Sequence, residues 1–258
     1  MTLFETILFL SAGVLTGIVN TLAGSGSLIT LPIFIFICGL PPQVANATNR
    51  IGILAQNIVA VKTYHGRGHL PPIRHLWWFI IPSMLASVVG ARIAIDMDEQ
   101  MMNTTLGIVM VVMLIVTLLK PSAWLRTRDL EEADPSRRPW LNIVLFIGVG
   151  LYGGFIQAGV GIFMIASLVL VSKYDLIQSN AIKVLLGLLF NVPAFAIFLL
   201  AGDVHWRFGL LMALCQAIGA YIGARFADTH PNAKQWIRYL LLAVIAISAA
   251  RFLGLLGS

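Results

Sequence analysis

The chain has 258 residues, 59% hydrophobic and 11% charged, with a mean hydropathy of +0.90; an ordinary soluble domain carries roughly 25% charged residues. That composition excludes a water-soluble globular class and makes the bilayer the relevant solvent. Lys+Arg 17 against Asp+Glu 11 gives +6, an excess that belongs to cytoplasmic loops of a multi-span protein and not to a nucleic-acid footprint. Cys38 and Cys215 both lie inside apolar runs, so they read as small buried hydrophobes without redox meaning.

Apolar runs bounded by charge, Gly and Pro predict ten helical segments. In the first half they cover 3–22, 26–39, 44–64, 75–95 and 101–119. The second half has 140–158, 160–172, 178–200, 205–226 and 234–256. The first segment starts almost at Met1 without a basic flank and reads as a retained membrane segment. The expected organisation is a membrane repeat over 1–119, a charged cytoplasmic linker over 120–139 and a second membrane repeat over 140–258.

An offset of about 134 residues lays one half over the other. Gly24-Ser25-Gly26-Ser27 falls on Ala158-Gly159-Val160-Gly161, and Ala45-Asn46-Ala47-Thr48-Asn49 on Ser179-Asn180-Ala181-Ile182-Lys183. Asn57 meets Asn191, and the triplet Gly90-Ala91-Arg92 meets Gly223-Ala224-Arg225. Gly and Ala are common in membrane helices, so it is the shared order and offset that argue for duplication. Five segments per half invert the second copy relative to the first, and inverted repeats are a mark of secondary transporters. Lys62, Arg67 and Arg74, the linker cations Lys120, Arg126, Arg128, Arg137 and Arg138, and Arg225, Lys234 and Arg238 then share one side. Asp96, Asp98, Glu99 and Asp203 share the other, which makes the linker cytoplasmic and both termini external.

The second segment of each half is about 13 residues long, too short for a bilayer core of roughly 30 Å at 1.5 Å per residue. Paired short segments at matching Gly-rich breaks point to the binding site of a transporter. The candidates there are Asn20, Gly24, Ser25, Gly26 and Ser27 in one half, and Gln157, Gly159 and Gly161 in the other. Broken helices offer N–H groups and a partial positive charge to an anion; close helix packing is the other account of these glycines. The third segments add Thr48, Asn49, Arg50 and Asn57, and Asn180, Lys183 and Asn191. A cation at such depth is costly unless compensated. Lys183 has Asn191 as its candidate polar partner, whereas Arg50 has snorkelling to the interface as an equal account. No Asp or Glu falls mid-segment, which disfavours a cation carrier and favours a small anion.

The remaining motifs stay structural. His65, His69 and His75 cluster without Cys or carboxylate, so the loop reads as basic and not as a metal site. Gly24-Ser25-Gly26-Ser27 lacks the intramembrane base that a serine protease needs. Trp77, Trp78, Trp140, Trp206 and Trp236 mark segment edges, as an interfacial belt does.

The run GVLTGIVNTLAGSGSLITLPIFIFICGLPPQVANATNR, with GGFIQAGVGIFMIASLVL, SNAIKVLLGLLFNVPAF and AIGAYIGARFA in the second half, resembles the sulfite exporter TauE/SafE family over nearly the whole chain. The resemblance implies a prokaryotic inner-membrane transporter of small sulfur oxyanions or organosulfonates, sulfite and sulfoacetate among them. It places the polar site at Asn20, Ser25, Thr48, Asn49, Gln157, Asn180, Lys183 and Asn191. One departure is the first break, Gly-Ser-Gly-Ser where the family often has a fuller glycine run. The expectation is an all-α polytopic membrane protein built of two inverted repeats with broken or re-entrant helices near the start of each. Its partners would be lipid and a small anion, with no cofactor; its activity would be export by alternating access, or conduction through the same midplane site as an anion channel.

Overall fold

The computed structural model describes residues 2–119, 139–226, 233–252 and 254, with no side-chain description at 226 and 233–241. The linker expected at 120–139, its cations, and Lys234, Trp236 and Arg238 therefore lie outside the described residues or side chains. Among the described residues the chain is helical, without a strand.

Ten α-helices among the described residues follow the ten expected segments: α1 Leu3–Ala23, α2 Ser27–Pro32, α3 Pro42–Gly66, α4 Trp77–Ile95 and α5 Glu99–Leu119, then α6 Pro139–Phe155, α7 Val160–Leu170, α8 Leu176–Ala201, α9 Trp206–Phe226 and α10 Ala233–Phe252. Local chemistry sets their ends. Thr2 and Glu5 close a capping box on α1, the Thr2 hydroxyl accepting from the Glu5 amide and the Glu5 carboxylate from the Thr2 amide. Gly24 ends that helix at φ 72°. Asp175 caps α8 by accepting from the Gln178 amide at 2.8 Å, and Gly202 ends it at φ 82°. Past Pro32, α2 runs into a π-turn over Ile33–Ile37.

Among the described residues five helices, α1, α4, α5, α8 and α9, are long and apolar enough to cross a membrane. The 25-residue α3 has the length, about 37 Å, but not the hydropathy, because Asn46, Thr48, Asn49, Arg50, Gln56 and Asn57 are turned into the protein and buried. With its π-turn α2 extends over 11 residues, as does α7, a rise of about 16 Å, half a bilayer core.

The helices associate in matched pairs. One three-helix group joins α1 and α3 to α9, and another joins α6 and α8 to α4, so each half lends its fourth helix to the other. Between them α3 packs on α8, and α5 packs on α10. Small residues let the backbones meet: a methyl on Gly17 would lie 2.2 Å from the Gln216 carbonyl oxygen on α9, and one on Gly150 would lie 2.2 Å from that of Ser83 on α4.

The two breaks also touch each other. Gly161 N–H donates to the Gly24 carbonyl at 3.1 Å, and a methyl on Gly24 would stand 2.5 Å from Gly161 Cα. Overpacking of this kind costs about 1–3 kcal/mol. Gly161→Ala is therefore expected to lower the melting temperature in detergent clearly, whereas Gly148→Ala, a helical position with nothing within 4 Å, leaves it unchanged or raises it. Equal melting temperatures for the two variants would show that the breaks do not touch.

Candidate functional site

The two breaks, Gly24–Gly26 after α1 and Ile156–Gly159 after α6, meet at the centre of the molecule beside α3 and α8. Backbone conformation there is demanding, since Gly24 and Gly159 adopt φ 72° and 73°, a left-handed region open to glycine at no steric cost. Each break ends one helix and begins another, leaving α1 and α6 with C-terminal carbonyls that lack intrahelical partners.

The buried cations satisfy these carbonyls. Arg50 of α3 is fully buried. Its guanidinium donates to the carbonyls of Gly153 (3.2 Å), Gly154 and Phe155 (3.5 Å) at the end of α6, and to Asn191 Oδ1 at 2.9 Å. It lies 4.4 Å from the centre of the Phe198 ring. Asn46 adds a bond to the Phe155 carbonyl at 2.8 Å. On the other side Lys183 of α8, 3% exposed, donates to the carbonyls of Asn20 (2.9 Å) and Thr21 (2.8 Å) at the end of α1 and to Asn180 Oδ1 at 2.9 Å. Each half thus supplies a cation to the negative end of the other half's first helix, where a dipole favours positive charge.

Two expectations change here. Snorkelling is not the explanation of Arg50, because α3 turns its guanidinium inward onto α6. Asn191 is not the partner of Lys183 either: it accepts from Arg50 and donates back to the Arg50 carbonyl at 3.2 Å. Asn180, one turn before Lys183 on the same helix, takes that role because i and i+3 share a helical face.

A cavity of about 20 Å3 lies between the breaks, room for about one water. Of the sequence candidates, Asn20, Gly24, Ser27, Asn57, Gln157, Gly161 and Lys183 line it. The others surround it without reaching it. Asn49 is fixed between Thr30 Oγ1 (2.7 Å) and Ser27 Oγ (3.1 Å), and Asn20 Oδ1 accepts from the Gly26 amide at 3.3 Å. Thr48 turns away and accepts from the His205 amide at 2.9 Å. Gly159 packs against Met113, and Asn180 and Asn191 serve the two cations. Ser25 is fully buried beside the cavity without a hydrogen-bond partner for its hydroxyl, and the same holds for Gln157 Oε1.

The sequence reading missed Ile53, Val160, Met164 and Gly187 on the cavity wall. Helical periodicity carried the signal, since the lining falls in i, i+4 pairs: Ile53 with Asn57, Lys183 with Gly187, Val160 with Met164. Gly187 leaves room for the Asn57 amide, which would stand 2.9 Å from a methyl there. The wall thus combines an ammonium, three amides and a hydroxyl with the apolar side chains of Ile53, Val160 and Met164. No carboxylate is among the buried side chains described.

The model of the sulfite exporter TauE/SafE family matches residues 9–252. The chain belongs to that family. It is 28% identical over 243 residues to a probable membrane transporter protein, ORF9, of a Sinorhizobium species, covering 94% of this chain and 90% of that protein. To YfcA of Escherichia coli K12, also a probable membrane transporter protein, it is 28% identical over 93% of this chain and 86% of the relative. A Haemophilus influenzae probable membrane transporter protein is 25% identical, over 93% and 91% respectively. No solved structure matches. This TauE/SafE protein is therefore a multi-pass membrane transporter.

The two cations differ in what their removal does. Both terminal nitrogens of Arg50 are bound by protein groups away from the cavity, so Arg50→Met leaves the end of α6 uncapped and Asn191 Oδ1 without its donor; loss of one member of a buried charged network costs about 3–5 kcal/mol. A large loss of thermal stability is expected, and Asn191→Leu in the Arg50→Met background should add little to it. Full additivity of the two substitutions in a thermal-melt cycle would contradict the pairing.

Proposed function

We propose that this TauE/SafE protein exports a small sulfur-containing anion, sulfite or a C2 organosulfonate such as sulfoacetate, across a prokaryotic inner membrane by alternating access. The observation that carries the reading is the cavity at the crossing of two half-helices, walled by Lys183, Asn20, Asn57 and Gln157 and free of carboxylates among the described residues. An ammonium and amide N–H groups suit an oxyanion, and the apolar side chains of Ile53, Val160 and Met164 suit a short organic tail.

Inverted repeats over 1–119 and 140–258 are part of the same proposal. The matched helix groups support it, as do the similar positive φ angles of Gly24 and Gly159 and the reciprocal capping by Arg50 and Lys183. Gly90 and Gly223 agree as well: Gly90 packs against Leu151 of α6 and Gly223 against Ile18 of α1, positions that coincide under the same offset.

In the mechanism, α3 with α9 and α8 with α4 rock about the crossing and open the cavity to one side at a time. At about 20 Å3 the cavity is too small for a sulfur oxyanion, so loading requires helix movement. The incoming anion then competes with the Asn20 and Thr21 carbonyls for the Lys183 ammonium, and this exchange ties occupancy to the position of α1. Without a carboxylate the driving force is the membrane potential, which favours outward movement of an anion by about 2.3 kcal/mol per charge per 100 mV.

Lys183→Gln is expected to weaken binding of sulfite or sulfoacetate by at least about tenfold, the loss of one charge-assisted hydrogen bond, while Arg207→Gln at the exposed start of α9 does not. Isothermal titration decides it, and equal effects would remove Lys183 from the site. In proteoliposomes, trans substrate should accelerate counterflow, as in a carrier and unlike a pore. Efflux should rise with an imposed inside-negative potential; a rate set by a sodium gradient alone would contradict the proposed driving force.

A further inference from the structure

Outside the cavity the largest set of unmated buried polar atoms belongs to two glutamines. Gln56 of α3 is 1% exposed and Gln216 of α9 is 0% exposed, and neither amide has a hydrogen-bond partner at its oxygen or its nitrogen. The Gln216 side chain lies flat on Gly52 of α3, where a methyl would meet its Oε1 at 2.5 Å. Gln56 is one turn further along α3 on the same face, and the next residue, Asn57, reaches the cavity. In a bilayer-embedded helix group unmated amides are retained at a cost.

The second half has no such pair. At the offset of 134 that relates α3 to α8, Gln56 falls on Phe190, and at 133, which relates Gly90 to Gly223, Gln216 falls on Ser83. Phe190 sits in an aromatic core with Phe79 and Phe146, and the Ser83 hydroxyl is satisfied within its own helix by Phe79 and Ile80. The amides are thus not demanded by the architecture.

From the glutamines towards the basic end, the contact of α3, α8 and α9 is formed by Ala60, Ala181, Ala220 and Ala224 with Val184, and Tyr64 closes it. Alanine is a smaller share of the largest core cluster and is absent from the cluster around Phe79, Phe146 and Phe190. Methyl groups have the least contact to lose when helices separate. Around the closed end stand the exposed cations Lys62, Arg67 and Arg225, a positive mouth that raises the local anion concentration.

We propose that the seam between α3, α8 and α9 is the route of the anion between the basic face and the cavity, with Gln56 and Gln216 as a second polar station on it and Tyr64 as its plug. The identity of the anion rests on the reading above; the route does not. Once the seam opens, the amide N–H groups of the pair face the passing anion, and water completes the unmated oxygens.

Single cysteines replace Ala60, Ala220 and, as a control, Ala91 of α4, equally buried but outside the seam, in a protein carrying Cys38→Ser and Cys215→Ala. In proteoliposomes an anionic methanethiosulfonate is expected to modify Ala60→Cys and Ala220→Cys from the face bearing Lys62, at least about tenfold faster than Ala91→Cys, a barrier difference of one decade, and sulfite should slow the reaction. The double variant Gln56→Leu, Gln216→Leu should exchange sulfite about tenfold more slowly or worse, with its heat of sulfite binding unchanged. Alanine positions as inert as Ala91→Cys overturn the route whatever the anion. Fast modification in a protein that neither binds nor exchanges sulfite or sulfoacetate upholds the route and overturns the cargo.

Discussion

The structure depends on how two full positive charges are kept inside a bilayer-embedded helix assembly without a carboxylate among the buried residues described. The compensation is made of peptide dipoles. Arg50 and Lys183 take the carbonyl ends of α6 and α1, whose partial negative charge and unmated oxygens need donors in any case. Two costs cancel: a helix end without partners in hydrocarbon, and a cation without a counter-ion. Neither solution stands alone, because the breaks in α1 and α6 would be unaffordable without the cations, and the cations without the breaks.

The breaks in turn dictate glycine. Helices can end and restart within the core only if the chain reverses locally, at Gly24 and Gly159, and only if the two reversals pass each other closely, at Gly24 and Gly161. Shortening α2 and α7 to about half a bilayer follows from this, and so does the polarity of α3. A helix that must reach into both breaks carries amides and a guanidinium on its inner face and loses the hydropathy of a simple span. Function and fold draw on the same residues here, so substitutions on α3 are expected to be costly even where they do not touch the cavity.

The fold was legible because each of its signals is local. Ten apolar segments, a Gly-rich break at Gly24–Gly26 and a Pro-Pro turn at Pro41-Pro42 place the helices within a few residues of where they lie. Depth was legible too, since Asn49, Arg50 and Lys183 sit well inside their segments. Partnership was not. Arg50 meets carbonyls about a hundred residues away, and backbone acceptors have no residue type to betray them. The same gap hid the pairing of Asn191 with Arg50, and it hid Gln56 and Gln216, whose significance appears only when α9 is laid against α3. Lining residues without polar atoms, Ile53 and Met164, needed the helical face of a neighbour, Asn57 or Val160, to be known first.

Under the proposed repeat, the differences between the two halves are informative. Asn49 and Lys183 occupy matching positions, yet Asn49 is tied to Ser27 and Thr30 within its own half, while Lys183 reaches across to α1 and borders the cavity. Arg50, one residue out of that register, reaches across to α6 and borders nothing but protein. A pair of halves with identical cations at identical positions would hold its two breaks equally firmly. Here the break of α6 is held by a planar guanidinium that donates to three of its carbonyls and lies over an aromatic ring, and that of α1 by a single ammonium on a flexible stem. The arrangement gives one fixed side and one responsive side around a common centre, and the responsive side is the one whose charge faces the cavity.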